Sequence, residues 1–128
     1  MTRRWLVDGN NVFGSRADGW WNDRPAAQAR FTQRVAEWCR THDDPVVVVF
    51  DAPVDPATTE LAGGNLAVVE APRRGRDAAD DEIARLADDA DPASSELTVV
   101  TSDRGLRRRL PAWVTVWGAA RFRELIRY

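Results

Sequence analysis

Acidic residues stand at four stations along this chain. Asp8 closes the apolar run WLVD, Asp51 follows VVVVF, Asp103 follows LTVVTS, and Asp80 and Asp81 open the amphipathic stretch DDEIARLA. Strands that run the same way deliver their C-terminal ends to one edge of a sheet, where open α/β folds place their sites. Carboxylates crowded at such an edge repel one another, and a small divalent cation relieves that repulsion. Sites of this kind take hard oxygen ligands from separate elements, hold Mg²⁺ or Mn²⁺, activate a water and steady the leaving oxygen of a displacement at phosphorus. Asp8, Asp80, Asp81 and Asp103 are the candidate catalytic and metal-ligating residues. Asn11, three residues after Asp8, can fix a carboxylate rotamer. Thr101 and Ser102 can do the same for Asp103 or contact a phosphate. Taken singly, each acid is also what a turn or helix start requires: Asp77 as a cap, Asp80 and Asp81 as dipole partners, Asp103 ahead of a short helix. Asp51, followed by Ala-Pro, reads as an acid that orients a loop.

The elements that must position these residues alternate in type. Residues 4–8 read as a strand and 9–23 as a loop broken by glycines. Asn22 or Asp23 caps a helix that runs to about Thr41, with Phe31, Val35, Trp38 and Cys39 on one face. Residues 45–50 are a continuous apolar run, the mark of a strand covered on both faces. Residues 51–64 read as a loop with room for one helical turn, 65–71 as a third strand, and 72–76, PRRGR, as an exposed basic loop. A helix from about Asp77 to Ala90 turns Ile83, Leu86, Ala87 and Ala90 inward. A fourth strand (96–102), a short helix (103–110), a fifth strand (112–117) and a last helix (119–127) complete the pattern. Strands alternating with helices predict an α/β sandwich with a mostly parallel five-stranded sheet.

At 128 residues the chain is sized for one domain, 1–128. It has no apolar run of membrane-spanning length and no signal-peptide core, so a cytoplasmic location is expected. Its one cysteine and one histidine rule out an internal disulfide and a tetrahedral zinc site. No Walker loop or GxGxxG is present, so a nucleotide cofactor is not expected. The net charge is only −2, yet all 18 basic residues are arginine, and they cluster. Arg73, Arg74 and Arg76 precede the Asp80 stretch, while Arg104, Arg107 and Arg108 follow Asp103. Both groups flank the acidic edge, where they could hold a phosphate backbone. Arg107 to Arg109 can equally do no more than solvate a short helix. Trp20 and Trp21 lie in the loop after Asp8, one expected to plug the core and one free to stack on an unpaired base. Trp5, Trp38, Trp113 and Trp117 read as core residues or as a homodimer contact. A receiver domain that used Asp51 as phospho-acceptor would want a lysine after its fifth strand, and this chain has none.

With these residues in view, the chain resembles a known family. LVDGNNV is similar to the opening of NYN domains of the YacP-like type, within the wider PIN-like ribonuclease group. VVVFDAP, DAADDEIARLA and VVTSDRGLR match its further motifs, in order and over nearly the whole chain. The resemblance implies a three-layer α/β/α sandwich with sheet order 3-2-1-4-5. It also implies metal-dependent cleavage of RNA, often linked to ribosomes. Asp8, Asp80 and Asp103 would be the core acids, with Asp81 and Asn11 alongside. Two departures stand out. The family's Glu-Thr is Asp77-Ala78 here, leaving Asp77 as a fourth or water-mediated ligand, and the usual Tyr is Asn10. A non-catalytic RNA-binding or ribosome-associated module, and a toxin of a toxin–antitoxin pair, are the alternatives.

Overall fold

The computed structural model describes residues 2–75 and 77–128. Five strands form one sheet: β1 (Thr2–Asp8), β2 (Val46–Ala52), β3 (Leu66–Arg74), β4 (Ser95–Val100) and β5 (Thr115–Trp117). Their order is β3-β2-β1-β4-β5, and every neighbouring pair is parallel. The helices are α1 (Gly9–Gly14), α2 (Arg24–Cys39), α3 (Pro56–Thr59), α4 (Ala78–Asp89), α5 (Arg104–Arg109) and α6 (Ala119–Ile126). The order and the α/β class agree with the sequence expectation.

Two cores follow from the two-residue period of the strands. Trp5 and Val7 of β1, with Val46, Val48 and Phe50 of β2, pack under α1, α2 and α6. Leu6 of β1, Val49 of β2, and Leu97 and Val99 of β4 pack under α4 and α5. The same alternation turns Asp8, Asp51 and Thr101 toward the α4 and α5 face. Val7 pairs with Val100 and Asp8 with Val49, so these three residues gather at the C-terminal end of the central strands.

Two segments depart from the sequence expectation. Residues 9–23, expected as loop, hold α1 and a 3₁₀ turn at Trp20–Asn22. Val12 and Phe13 are buried there, so tertiary packing overrides the weak helix propensity of a segment rich in Gly and Asn. The close approach requires Gly9: a Cβ on it would lie 2.3 Å from the Phe50 ring. The segment 72–74, expected as exposed loop, instead continues β3, with Arg74 paired to Ala52 after a register shift. Pro72 is tolerated because β3 is an edge strand. Trp5 belongs to the core and not to a subunit surface: it is 3% exposed and lies edge-on to Trp38 and Trp117, at 5.2 and 5.1 Å between centroids.

Candidate active site

Asp8 ends β1 and is buried. Its Oδ2 accepts a 2.8 Å hydrogen bond from the Thr101 hydroxyl, whose oxygen in turn accepts the Asp103 backbone N–H at 3.1 Å. Thr101 therefore ties the ends of β1 and β4 together through the carboxylate. Burial pushes the Asp8 carboxyl up to about 7. Thr101 and the Asn11 backbone amide favour the charge, while Asp80 and Asp103 oppose it. Asp80, in the first turn of α4, is raised to about 6, first by burial and then by Asp103, Asp77 and Asp51, with Arg109 as the opposing cation. Five acids thus share one field.

The supporting residues hold the backbone at this edge. Asp51 Oδ1 accepts the Ala79 N–H at 2.8 Å, so β2 caps the helix that carries Asp80. Asp77 sits at the N-cap position with φ +66° and makes no capping bond, which leaves its carboxylate to the pocket. Asn10 Oδ1 accepts the Asp51 N–H at 2.7 Å, and Asn11 Oδ1 accepts the Ser102 N–H at 2.8 Å. The Asn11 side chain therefore fixes the loop after β4, where a bond to a carboxylate was expected. Ser102 accepts the Ala119 N–H at 2.8 Å and caps α6, where contact with Asp103 or a phosphate was expected. Asp103 does cap α5, through the Leu106 N–H at 2.8 Å, while still lining the pocket.

That pocket, of about 470 Å³, is bounded by Asp77, Asp80, Asp103 and, at its mouth, Asp81 with Arg73 and Arg109. Asp81 departs from its expected part in the acid cluster. Its carboxylate is ion-paired to Arg73 and to Arg109, the latter at 2.8 Å, and the two guanidinium groups hold it below the usual carboxylate range. Reach decides this: the extended end of β3 and the last turn of α5 each bring a long cationic side chain to α4. Arg109 is the residue whose role the sequence hid, since its run of arginines equally suits a solvated helix face.

The YacP-like NYN domain model matches residues 5–124. The chain belongs to the YacP-like NYN domain family. This family is of the PIN-like nuclease kind. The NYN domain is also similar to solved structures of Rae1 (YacP) from Bacillus subtilis. A point mutant of Rae1 superposes with TM-score 0.74 at 23% identity, covering 96% of this chain and 73% of that one. A second Rae1 structure gives TM-score 0.73 at 22% identity, covering 97% and 73%. At these identities the likeness concerns the fold. No curated protein matches the chain.

Around the acids of this NYN domain the basic residues are unevenly used. Arg74, Arg104, Arg107 and Arg108 are exposed and form no ion pair among the described residues. Arg76 lies outside the described residues. Trp20 packs edge-on against Phe13 at 5.8 Å, as expected for the core-plugging member of the pair, and Trp21 is 61% exposed. No helix among the described residues is long and apolar enough to cross a membrane.

Proposed function

We propose that this NYN domain is a Mg²⁺- or Mn²⁺-dependent ribonuclease that hydrolyses RNA phosphodiester bonds at the Asp8–Asp80–Asp103 edge. One observation carries the reading: burial and mutual repulsion raise Asp8 to about 7 and Asp80 to about 6, beside a pocket whose own arginines, Arg73 and Arg109, are spent on Asp81, while Arg104, Arg107 and Arg108 on the adjoining α5 form no ion pair among the described residues. A protein keeps such an energetically costly cluster where something positive is to be bound.

The donors are all hard oxygens, which suits Mg²⁺ or Mn²⁺. Among the described residues no group of three or more is close enough to cage an ion. The fit is therefore to an ion that keeps several waters and takes one or two carboxylates, as Mg²⁺ does. One or two of Asp8, Asp80 and Asp103 would hold it directly, and the rest, with Asp77, through its waters. When bound, it lowers the pKa of a coordinated water and polarises a phosphoryl oxygen. Thr101 fixes the Asp8 rotamer, and Asp51 anchors the turn that carries Asp80. Arg104, Arg107 and Arg108 draw in the phosphate backbone, and Trp21 offers an exposed ring to an unpaired base. Water adds at phosphorus and the P–O3′ bond breaks, leaving a 5′-phosphate and a 3′-hydroxyl. No protein nucleophile takes part. A cytoplasmic setting, with substrate met on or near ribosomes, is consistent with this chemistry.

That the described residues form no preassembled cage favours one other reading, an RNA-binding or ribosome-associated module without catalysis. Both are tested by incubating the purified protein with single-stranded RNA under Mn²⁺, Mg²⁺ or EDTA. Cleavage that needs the cation and drops at least ~100-fold in Asp8→Asn and Asp103→Asn is expected, following the usual weight of one catalytic group. Mn²⁺ should also raise the melting temperature of the native protein and not of Asp8→Asn. RNA binding with no cation-dependent cleavage selects the module instead.

A further inference from the structure

A second cleft, of about 540 Å³, lies beside the acidic pocket, between the start of α2 and the segment after β2. Its wall adjoins that pocket: Asp51 lines this cleft and caps the helix of Asp80, while Gly75 lines one cleft and Asp77 the other. Gln28 of α2 lines the cleft as well. It is 7% exposed, yet its carboxamide has no hydrogen-bond partner among the described residues; only its backbone carbonyl is used, by the Thr32 hydroxyl. The Gln28 carboxamide is not a buried unsatisfied group; it faces the cleft, where it can donate and accept toward a ligand.

The other groups in the cleft share one chemistry. Asn10 spends its oxygen on the Asp51 N–H, which leaves its NH₂ group free to donate. Asp51 and Asp55 each accept one backbone N–H through Oδ1, which leaves Oδ2 free to accept. Arg24 has no ion pair among the described residues and lies over the Trp20 ring at 5.6 Å. Carboxamides that both donate and accept, free carboxylate oxygens and one cation match a nucleobase edge with a phosphate beside it. The volume is in the range of small-molecule sites, ~300–1,000 Å³.

We propose that this cleft takes an unpaired base bearing an exocyclic amino group (adenine, guanine or cytosine) from the nucleotide next to the scissile bond, and so decides where the RNA is cut. The proposal rests on the ribonuclease reading above. The amino group donates to Asp51 or Asp55, Gln28 and Asn10 bond the remaining edge, and Arg24 holds the adjoining phosphate. Uracil presents carbonyl oxygens where the other bases present the amino group, and these face carboxylates.

The test titrates AMP, GMP, CMP and UMP into the ¹⁵N-labelled protein without divalent cation and follows the Gln28 side-chain amide. The first three should shift that resonance and bind about tenfold more tightly than UMP, the weight of one bidentate base contact. Gln28→Leu, of similar volume, should lose the discrimination. Arg24→Ala, at an exposed position, should weaken all four alike and keep their ranking. Equal affinity for UMP, or a Gln28 resonance that does not move, overturns the proposal. No cleavage is read, so a protein inert toward RNA still gives an answer. Conversely, cation-dependent cleavage of a randomised RNA with no base preference beside the cut overturns the base pocket and leaves the nuclease standing.

Discussion

Asp8 is 3% exposed, and its carboxyl is raised from 3.8 to about 7 chiefly by that burial. The folded protein thus holds this proton more tightly than the unfolded chain does. The resulting contribution to stability is fully present below pH 3.8 and is lost as pH rises through about 7. Asp80, raised to about 6, acts in the same direction over a slightly lower window. Without divalent cations, the native protein should therefore lose stability between pH 5 and pH 8. The stability of Asp8→Asn relative to the native protein should rise by roughly 1–3 kcal/mol between pH 5 and pH 8. Urea unfolding at the two pH values checks this, and a native stability that rises over that interval contradicts it. Asp81, one residue beyond Asp80, behaves oppositely because two arginines reach it. Neighbours in sequence thus sit in different electrostatic surroundings, and only the fold separates them.

The first turn of α4 depends on an acid from another element. Asp51 of β2 caps it, while Asp77, at the cap position, leaves its carboxylate free. Asp51→Ala should therefore destabilise the protein by about 1 kcal/mol, the usual cost of a lost cap. It should also slow cleavage, since Asp80 rides on the same turn. Thermal melts and cleavage rates measured on the same preparation check both. The start of α1 depends on a close approach: a Cβ at Gly9 would meet the Phe50 ring at 2.3 Å. Gly9→Ala should cost about 1–3 kcal/mol through forced repacking. It should also shift the Asn10 and Asn11 bonds that hold the end of β2 and the loop after β4. A denaturation midpoint unchanged from the native protein would show that the ring yields freely.

The whole molecule carries a net charge of only −2, so RNA attraction has to come from the uneven placement of arginine. Arg104, Arg107 and Arg108 are exposed on one short helix next to the acidic pocket. Replacing Arg104 and Arg108 together by Glu should weaken binding to single-stranded RNA irrespective of its sequence. It should also make the dependence of log affinity on log salt shallower. Titrations at several NaCl concentrations give both quantities, and an unchanged slope would remove this helix from the binding face.

Much of this arrangement was legible from residue order alone. Apolar runs ending in aspartate give strands with acids at one edge, because parallel strands share the direction in which they end. Asp8, Asp80, Asp81 and Asp103 could therefore be chosen as a group, though not the pairing of Asp81 with Arg73 and Arg109, and the motifs pointed to the YacP-like NYN family. Backbone propensity could not disclose α1, since Gly9, Asn10 and Asn11 form a helix there only under the burial of Val12 and Phe13. Nor could it disclose the use of each polar side chain. Whether Asp51 caps a strand end or a helix, whether Asn11 meets a carboxylate or a backbone N–H, and whether Arg109 solvates or pairs are questions of distances between elements far apart in the chain. Local order sets which chemistry is available and at which edge it appears. Tertiary packing sets which groups are spent on holding the edge together and which remain free to act, because hydrogen bonds and ion pairs act only over a few ångströms.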